Sequence, residues 1–320
     1  MFHYDRGLKL TKNGLAIDFT RRQPRAFISH AHSDHMARHE YALCTPETAR
    51  LYHHRLGKRP VREMPYRETI EWGGLRLTAY PAGHCLGSAM LLAEDCQTRL
   101  LYTGDFKLGP KHTAAEAELP KADILVIEST YGQPEYRHTP RDEAIAQLLE
   151  LVYDTIADGA TPVIQAYVLG KAQEVTRILT SAGIPVLQHP DIYAVSRIYL
   201  ACGVELGTIG VFRGQADIGT AVVVPPVAHG GTCLAHLRRR YVTFAVSGWA
   251  MHRATRYRLG VHHAIPLSDH ADYDELFQAV EQVQPSEVYC THGPDSFVDR
   301  LAAAGWNAKP LRPSKQMRLF

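Results

Sequence analysis

Residues 29–36 read SHAHSDHM, and within them His30-x-His32-x-Asp34-His35 sets four metal-binding side chains close together. The stretch follows the apolar run RAFI, so these donors fall where a strand gives way to a turn. In extended chain, alternate residues face the same way, so His30 and His32 can present to one cation together. Once the chain turns, Asp34 and His35 can face a second cation a few ångströms away. Such a cluster needs a rigid scaffold that ends in loops, which is what the strand ends of an α/β fold provide.

The rest of the chain repeats the pattern. RLLYTGDF, ADILVIEST and SEVYCTHG read as apolar strands whose last residues are polar, while PRDEAIAQLLELVYDTIADG and DYDELFQAVEQVQP have the period near 3.6 of helices. Strands alternating with helices give an α/β layer architecture. At the strand ends stand His84, Asp105, Glu128 and His292. Each ion wants about four or five donors, and the opening motif alone is too small for two ions. His84 in PAGHCLGS, Asp105 in YTGDF and His292 in YCTHG supply three more, and Asp105 can bridge with its two oxygens. Two divalent ions suit hydrolysis of a phosphodiester. Imidazole and carboxylate donors favour zinc, and manganese is compatible with them. The six cysteines form no C-x-x-C pair, so they read as reduced, mostly buried thiols.

Glu128 and His270, in PLSDHADY, add a second kind of chemistry. An alkoxide leaving a phosphodiester needs a proton, and a histidine beside a carboxylate favours its cationic, proton-donating form.

The formal net charge is only +2, so any case for a polyanionic partner rests on distribution. From Ile218 through Ser268 there is no acidic residue, and Arg238, Arg239, Arg240, Arg253, Arg256 and Arg258 lie inside that window with Trp249. Guanidiniums hold phosphates and aromatic rings stack on bases, so these seven are the expected nucleic-acid contacts. The start, MFHYDRGLKLTKNG, has no apolar signal region, and no stretch is long enough to span a bilayer. A soluble cytoplasmic protein, with no membrane partner, is the expectation.

H-x-H-x-D-H, a glycine-flanked histidine and then TGD resemble the metallo-β-lactamase fold, an αβ/βα sandwich with its metals at one edge of two sheets. The resemblance implies one ion on His30, His32 and His84, a second on Asp34, His35 and His292, and Asp105 between them. Asp34, Asp105, Glu128 and His270 are then the catalytic residues. Asp18, at the end of LAID, resembles the family's early aspartate, which supports a ligand histidine from behind. VIEST, PLSDHADY and YVLGKAQE resemble the motifs of the β-CASP nucleases. That implies an inserted α/β β-CASP cap over 134–259, splitting the metallo-β-lactamase domain into 1–133 and 260–320. ESTYGQPEYRHTP and SGWAMHR…PLSDHADYDEL look like the bacterial ligase-associated DNA exonucleases. The resemblance implies a 5′-directed DNA exonuclease acting in repair beside an ATP-dependent DNA ligase. Histidine rather than valine at 292 resembles the RNA-processing β-CASP ribonucleases, which is the alternative. A small-molecule metallohydrolase needs neither the cap nor Glu128 and His270.

Overall fold

The computed structural model describes residues 1–226, 234, 237, 239–251 and 254–312. They form two compact units. The first comprises Met1–Pro110, Ala114–Glu135 and the chain from His270 onward; the second comprises Lys111–Thr113 and Tyr136–Asp269. Among the described residues no helix is long and apolar enough to cross a membrane.

The first unit is a sandwich of two sheets. One has the order β1 (Phe2–Tyr4), β2 (Leu8–Leu10), β3 (Ala16–Ile17), β4 (Arg25–Phe27), β5 (Tyr41–Cys44), β6 (Val61–Glu63). The other runs β19 (Ala308–Pro310), β18 (Glu287–Thr291), β11 (Ile124–Glu128), β10 (Arg99–Tyr102), β9 (Ala89–Glu94), β8 (Leu75–Pro81), β7 (Thr69–Trp72). Side-chain alternation sorts the second sheet's residues between two cores. Ala89, Leu91 and Ala93 of β9 join Leu10, Phe27 and Leu43 in the core between the sheets. Met90 and Leu92, one step out of phase, face the other way, onto the helices Tyr273–Val283 and Asp295–Ala303. The first of these helices starts at Asp272, whose carboxylate accepts from the Glu275 amide at 2.9 Å while Glu275 reaches back to the Asp272 amide at 2.8 Å. That reciprocal cap satisfies two otherwise free donors of the first turn. The layers are therefore those of an αβ/βα sandwich.

The second unit has one parallel sheet, β14 (Ile209–Val211), β13 (Val186–Gln188), β15 (Ala221–Val224), β12 (Thr161–Gln165), β16 (Tyr241–Val246), β17 (His263–Ile265). Helices Arg141–Ala157 and Lys171–Ser181 cover one face through Leu148, Val152, Val175 and Leu179. This unit ends at Asp269 rather than Leu259, because β17 pairs with β16 from Phe244↔His263 to Val246↔Ile265 and belongs to its sheet.

Candidate metal centre

Parallel pairing in the first unit brings the polar strand ends together. β3 and β4 run side by side, Ile17 opposite Phe27, so Asp18 and the Ser29–His35 turn emerge at one sheet end. In the other sheet β10 pairs with β11 and β11 with β18, Glu128 opposite Thr291. Asp105, Glu128 and His292 therefore emerge together, and the β8–β9 loop that carries His84 turns at the same end. The two sheets approach closely at Gly104, whose φ is +54°; a Cβ there would lie 2.8 Å from the Ser29 side chain. Asp18 and His292 also hold φ near +50°, at 50° and 57°. Such backbone is strained for a side-chain-bearing residue and is tolerated where the surroundings over-determine it.

Of the seven expected donors, His30, His32, His84 and Asp105 form one tight group, with His35 against Asp105 and Asp34 and His292 beside His35. His32 Nδ1 lies 3.1 Å from His30 Nε2 and 3.1 Å from His84 Nε2, and His30 Nε2 is 3.4 Å from Asp105 Oδ2. Ligating atoms of His30, His32, His84 and Asp105 fall within 4.8 Å of one another, which fits a single cation. His35 Nε2 stands 3.3 Å from the same Oδ2 and 3.7 Å from Asp34 Oδ2. The His292 ring centre lies 5.6 Å from that of His35. Buried neutral and anionic donors packed this tightly, three of them imidazoles, suit a zinc-like ion. The two halves differ in exposure. His30, His84 and Asp105 are buried, whereas the Asp34 side chain is 73% exposed and His292 is also open to solvent.

Behind the donors, one carboxylate organises two imidazoles. Asp18 Oδ2 accepts from His35 Nδ1 at 2.8 Å, from the Ser29 hydroxyl at 2.5 Å and from the Tyr102 hydroxyl at 2.9 Å. Its Oδ1 accepts from the Ser29 amide at 2.7 Å. Ser29 Oγ, its own proton given to Asp18, accepts from His30 Nδ1 at 2.9 Å. Both histidines thus turn Nε2 toward Asp105. Burial opposes ionisation of Asp18, but His35, His30 and Ser29 outweigh it and keep its carboxyl below the usual range. Burial likewise opposes the His35 cation, yet Asp105 and Asp18 prevail and lift its pKa well above the ordinary value.

Glu128 and His270 lie side by side. His270 Nδ1 lies 3.1 Å from each Glu128 oxygen, and these two residues and Asp105 have polar atoms within 4.8 Å of one another. Glu128 is buried and fixed by the Phe106 amide at 2.8 Å and the Thr130 hydroxyl at 2.6 Å. The His270 ring packs edge-on against His84, centres 4.7 Å apart.

The expected nucleic-acid contacts belong to the second unit. Trp249 is 40% exposed and packs edge-on against Tyr136. The Arg256 guanidinium lies 4.6 Å from the centre of the exposed Tyr257 ring. Arg239 and Arg258 are exposed, and Arg240 donates to the Asp158 carbonyl at 2.9 Å. Arg238 and Arg253 lie outside the described residues. Ser29 and Tyr102 were not anticipated. The signal for Tyr102 is a phenol in an apolar strand at an inward-facing position, since a buried Tyr hydroxyl needs a partner.

Residues 21–157 match a beta-lactamase superfamily domain, and residues 256–309 match a Zn-dependent metallo-hydrolase RNA specificity domain. A protein of Opitutus terrae described as a probable DNA ligase is 35% identical over 322 residues, covering 99% of this chain and 31% of that protein. Cleavage and polyadenylation specificity factor subunit 3 of Dictyostelium discoideum is 35% identical over 157 residues, 48% of this chain and 19% of that protein. Endoribonuclease YSH1 of Yarrowia lipolytica is 36% identical over 155 residues, 48% of this chain and 18% of its own length. The chain thus spans under a third of the curated relatives it matches. A crystal structure of a protein of unknown function from Enterococcus faecalis V583 superposes with TM-score 0.60 over 84% of this chain and 75% of that one, at 14% identity, a likeness of fold.

Proposed function

We propose that this chain, which belongs to the metallo-β-lactamase superfamily and its β-CASP nuclease branch, is a 5′-directed DNA exonuclease that acts in the cytoplasm, in repair, beside an ATP-dependent DNA ligase. The observation that carries a nuclease rather than a lactamase-like reading is the Glu128–His270 pair beside Asp105. A β-lactam or thioester needs no second acid of this kind, whereas a departing sugar alkoxide does.

His30, His32 and His84 would hold one divalent ion, Asp34, His35 and His292 a second, with Asp105 shared between them. Bound there, zinc or manganese ions supply an activated water and neutralise phosphate charge. The chain's own residues do the rest. Asp18 and Ser29 hold the His35 and His30 rings by Nδ1, so that Nε2 of each is the nitrogen offered to an ion. Glu128, anchored by Phe106 and Thr130, orients His270 through Nδ1. The opposite nitrogen, Nε2, would give its proton to the leaving oxygen, and Glu128 stabilises the cationic ring before transfer.

DNA as substrate is supported by the relative described as a probable DNA ligase, which matches 99% of this chain, against 48% for the RNA-processing relatives. The second reading, an RNA-processing nuclease, is favoured by His292 and by the RNA specificity domain matched over 256–309. A panel of end-labelled 5′-phosphorylated DNA, matching RNA, nitrocefin and a glutathione thioester tests both. Stepwise release of nucleotides from the 5′ end of DNA supports the proposal. Faster cleavage of RNA selects the second reading, and turnover of only nitrocefin or the thioester ends both.

A further inference from the structure

A cleft of about 570 Å³ opens in the first unit between the turn joining β1 to β2 and the loop following β3; Asp5, Arg6, Lys9, Phe19, Arg21 and Gln23 are among the residues that line it. Its position follows from strand register. β2 runs antiparallel to β3 with Leu8 opposite Ile17, so the Asp5–Gly7 turn sits at the same sheet end as Asp18. Phe19 in the wall is the residue after Asp18, the carboxylate that orients His35. The cleft therefore opens at the sheet end that carries the metal donors.

Both walls are fixed. The Asp5 amide donates to the Gly7 carbonyl at 2.9 Å, and Gly7 lies so close to the Phe19 ring that a Cβ would come within 2.5 Å of it. Between them Arg6 holds φ at +54°, a conformation that costs a non-glycine residue about 1 kcal/mol or more. The opposite loop is tied to the metal-bearing loop: the Gln23 amide donates to His39 Nδ1 at 3.1 Å and the Gln23 carbonyl accepts from the Glu40 amide at 3.0 Å. Of the cations, Lys9 is engaged, 3.6 Å from Asp5 and 5.3 Å from the Phe19 ring centre. The guanidiniums of Arg6 and Arg21 have no ion-pair or hydrogen-bond partner among the described residues. Two guanidiniums without a partner among the described residues, lining one cleft, suit an anion with more than one charge.

We infer that this cleft is a phosphate-binding subsite that holds the backbone of the nucleic-acid strand on its way to the metal centre, through Arg6 and Arg21. The inference rests on the nuclease reading. It differs from the basic window of the second unit in placing backbone contacts on the unit that carries the metal donors. Its occupant is recognised by charge, so the subsite selects a polyanionic strand without reading its bases.

The test is binding of a cleavage-resistant phosphorothioate 20-mer to the metal-loaded full chain, as wild type, Arg6→Ala/Arg21→Ala and Arg6→Lys/Arg21→Lys, across a salt series. Each phosphate contact on a single strand contributes about 0.7 to the slope of log affinity against log salt. The alanine variant should lose about 1.4 of that slope, so its affinity deficit should shrink roughly sevenfold between 50 and 200 mM salt. The lysine variant should keep most of the slope. An alanine variant with wild-type affinity and slope overturns the inference, as does a loss of affinity independent of salt. A nitrophenyl phosphodiester, too small to reach the cleft, reports on the metal centre. If the alanine variant loses that reaction too, the arginines support the fold and the inference fails. If wild type hydrolyses neither this ester nor DNA, the nuclease reading falls while the binding slopes still decide the cleft.

Discussion

Asp18 accepts the Nδ1–H of His35 at 2.8 Å, which turns Nε2 of that ring toward Asp105, 3.3 Å away. A carboxylate behind a ligand histidine both orients the ring and raises its basicity. Asp18→Ala should therefore weaken divalent-metal affinity about 10- to 100-fold, read by competition with a chromophoric chelator. Unchanged affinity would show that His35 is held by its packing alone.

Ser29 extends the same control to His30, and only through its hydroxyl. Ser29→Ala leaves the Asp18–His35 bond intact but strips His30 Nδ1 of its acceptor. Metal affinity should fall, and stability should drop by about 1–3 kcal/mol from a buried ring nitrogen left unsatisfied. Denaturant melts and chelator competition on the same variant check both. A stability loss with metal affinity intact would make Ser29 a packing residue.

The donors were legible in the sequence because His30, His32, Asp34 and His35 are adjacent and the others end apolar strands. Strand ends converge in parallel pairing, so Asp105, Glu128 and His292 meet although Asp105 and His292 are far apart in the chain. Tyr102 was not legible as part of the site, since its role depends on the packing of one sheet on the other, which no periodicity encodes. The last strand of the second unit was not legible for a related reason. His263–Ile265 is a three-residue strand with no alternation of its own, and it is a strand because β16 lies beside it. Arg6 and Arg21 look like ordinary surface cations until the register of β2 on β3 brings them to one cleft.

A buried charge cluster in the second unit sets its acid stability. Glu174 lies 2.6 Å from Lys171 and 2.6 Å from Arg141, with Lys111 at 4.0 Å. Burial raises the Glu174 pKa, but Lys111, Lys171 and Arg141 outweigh it and bring it down to about 2. A carboxyl whose folded pKa is depressed contributes stability that is complete above its unfolded value and lost as pH falls through the folded one. The window here runs from about 4.5 down to about 2. Glu174→Gln should be less stable than wild type at pH 7, by an amount on the order of 3 kcal/mol. The gap should close as pH falls through that window, followed by thermal melts. A constant gap would mean that the charge on Glu174 contributes nothing and that the loss is steric.

Asp105 stands between the two donor groups, its Oδ2 within 3.4 Å of His30 and 3.3 Å of His35. Asp105→Ala should abolish hydrolysis of DNA and of a nitrophenyl phosphodiester alike, and lower the metal content of purified protein. Retention of either reaction at more than a few per cent would remove Asp105 from the centre of the site.

The rate of His270→Ala on two substrates tests the central claim most directly. Glu128 holds Nδ1 of His270 at 3.1 Å, beside the donors and not among the seven expected to bind metal. If His270 protonates the leaving oxygen, the variant should keep its metal and lose about 10²- to 10⁴-fold on DNA. On a nitrophenyl phosphodiester, whose leaving group needs no proton, it should lose far less. An equal loss on both substrates, or a loss of bound metal, would contradict the account.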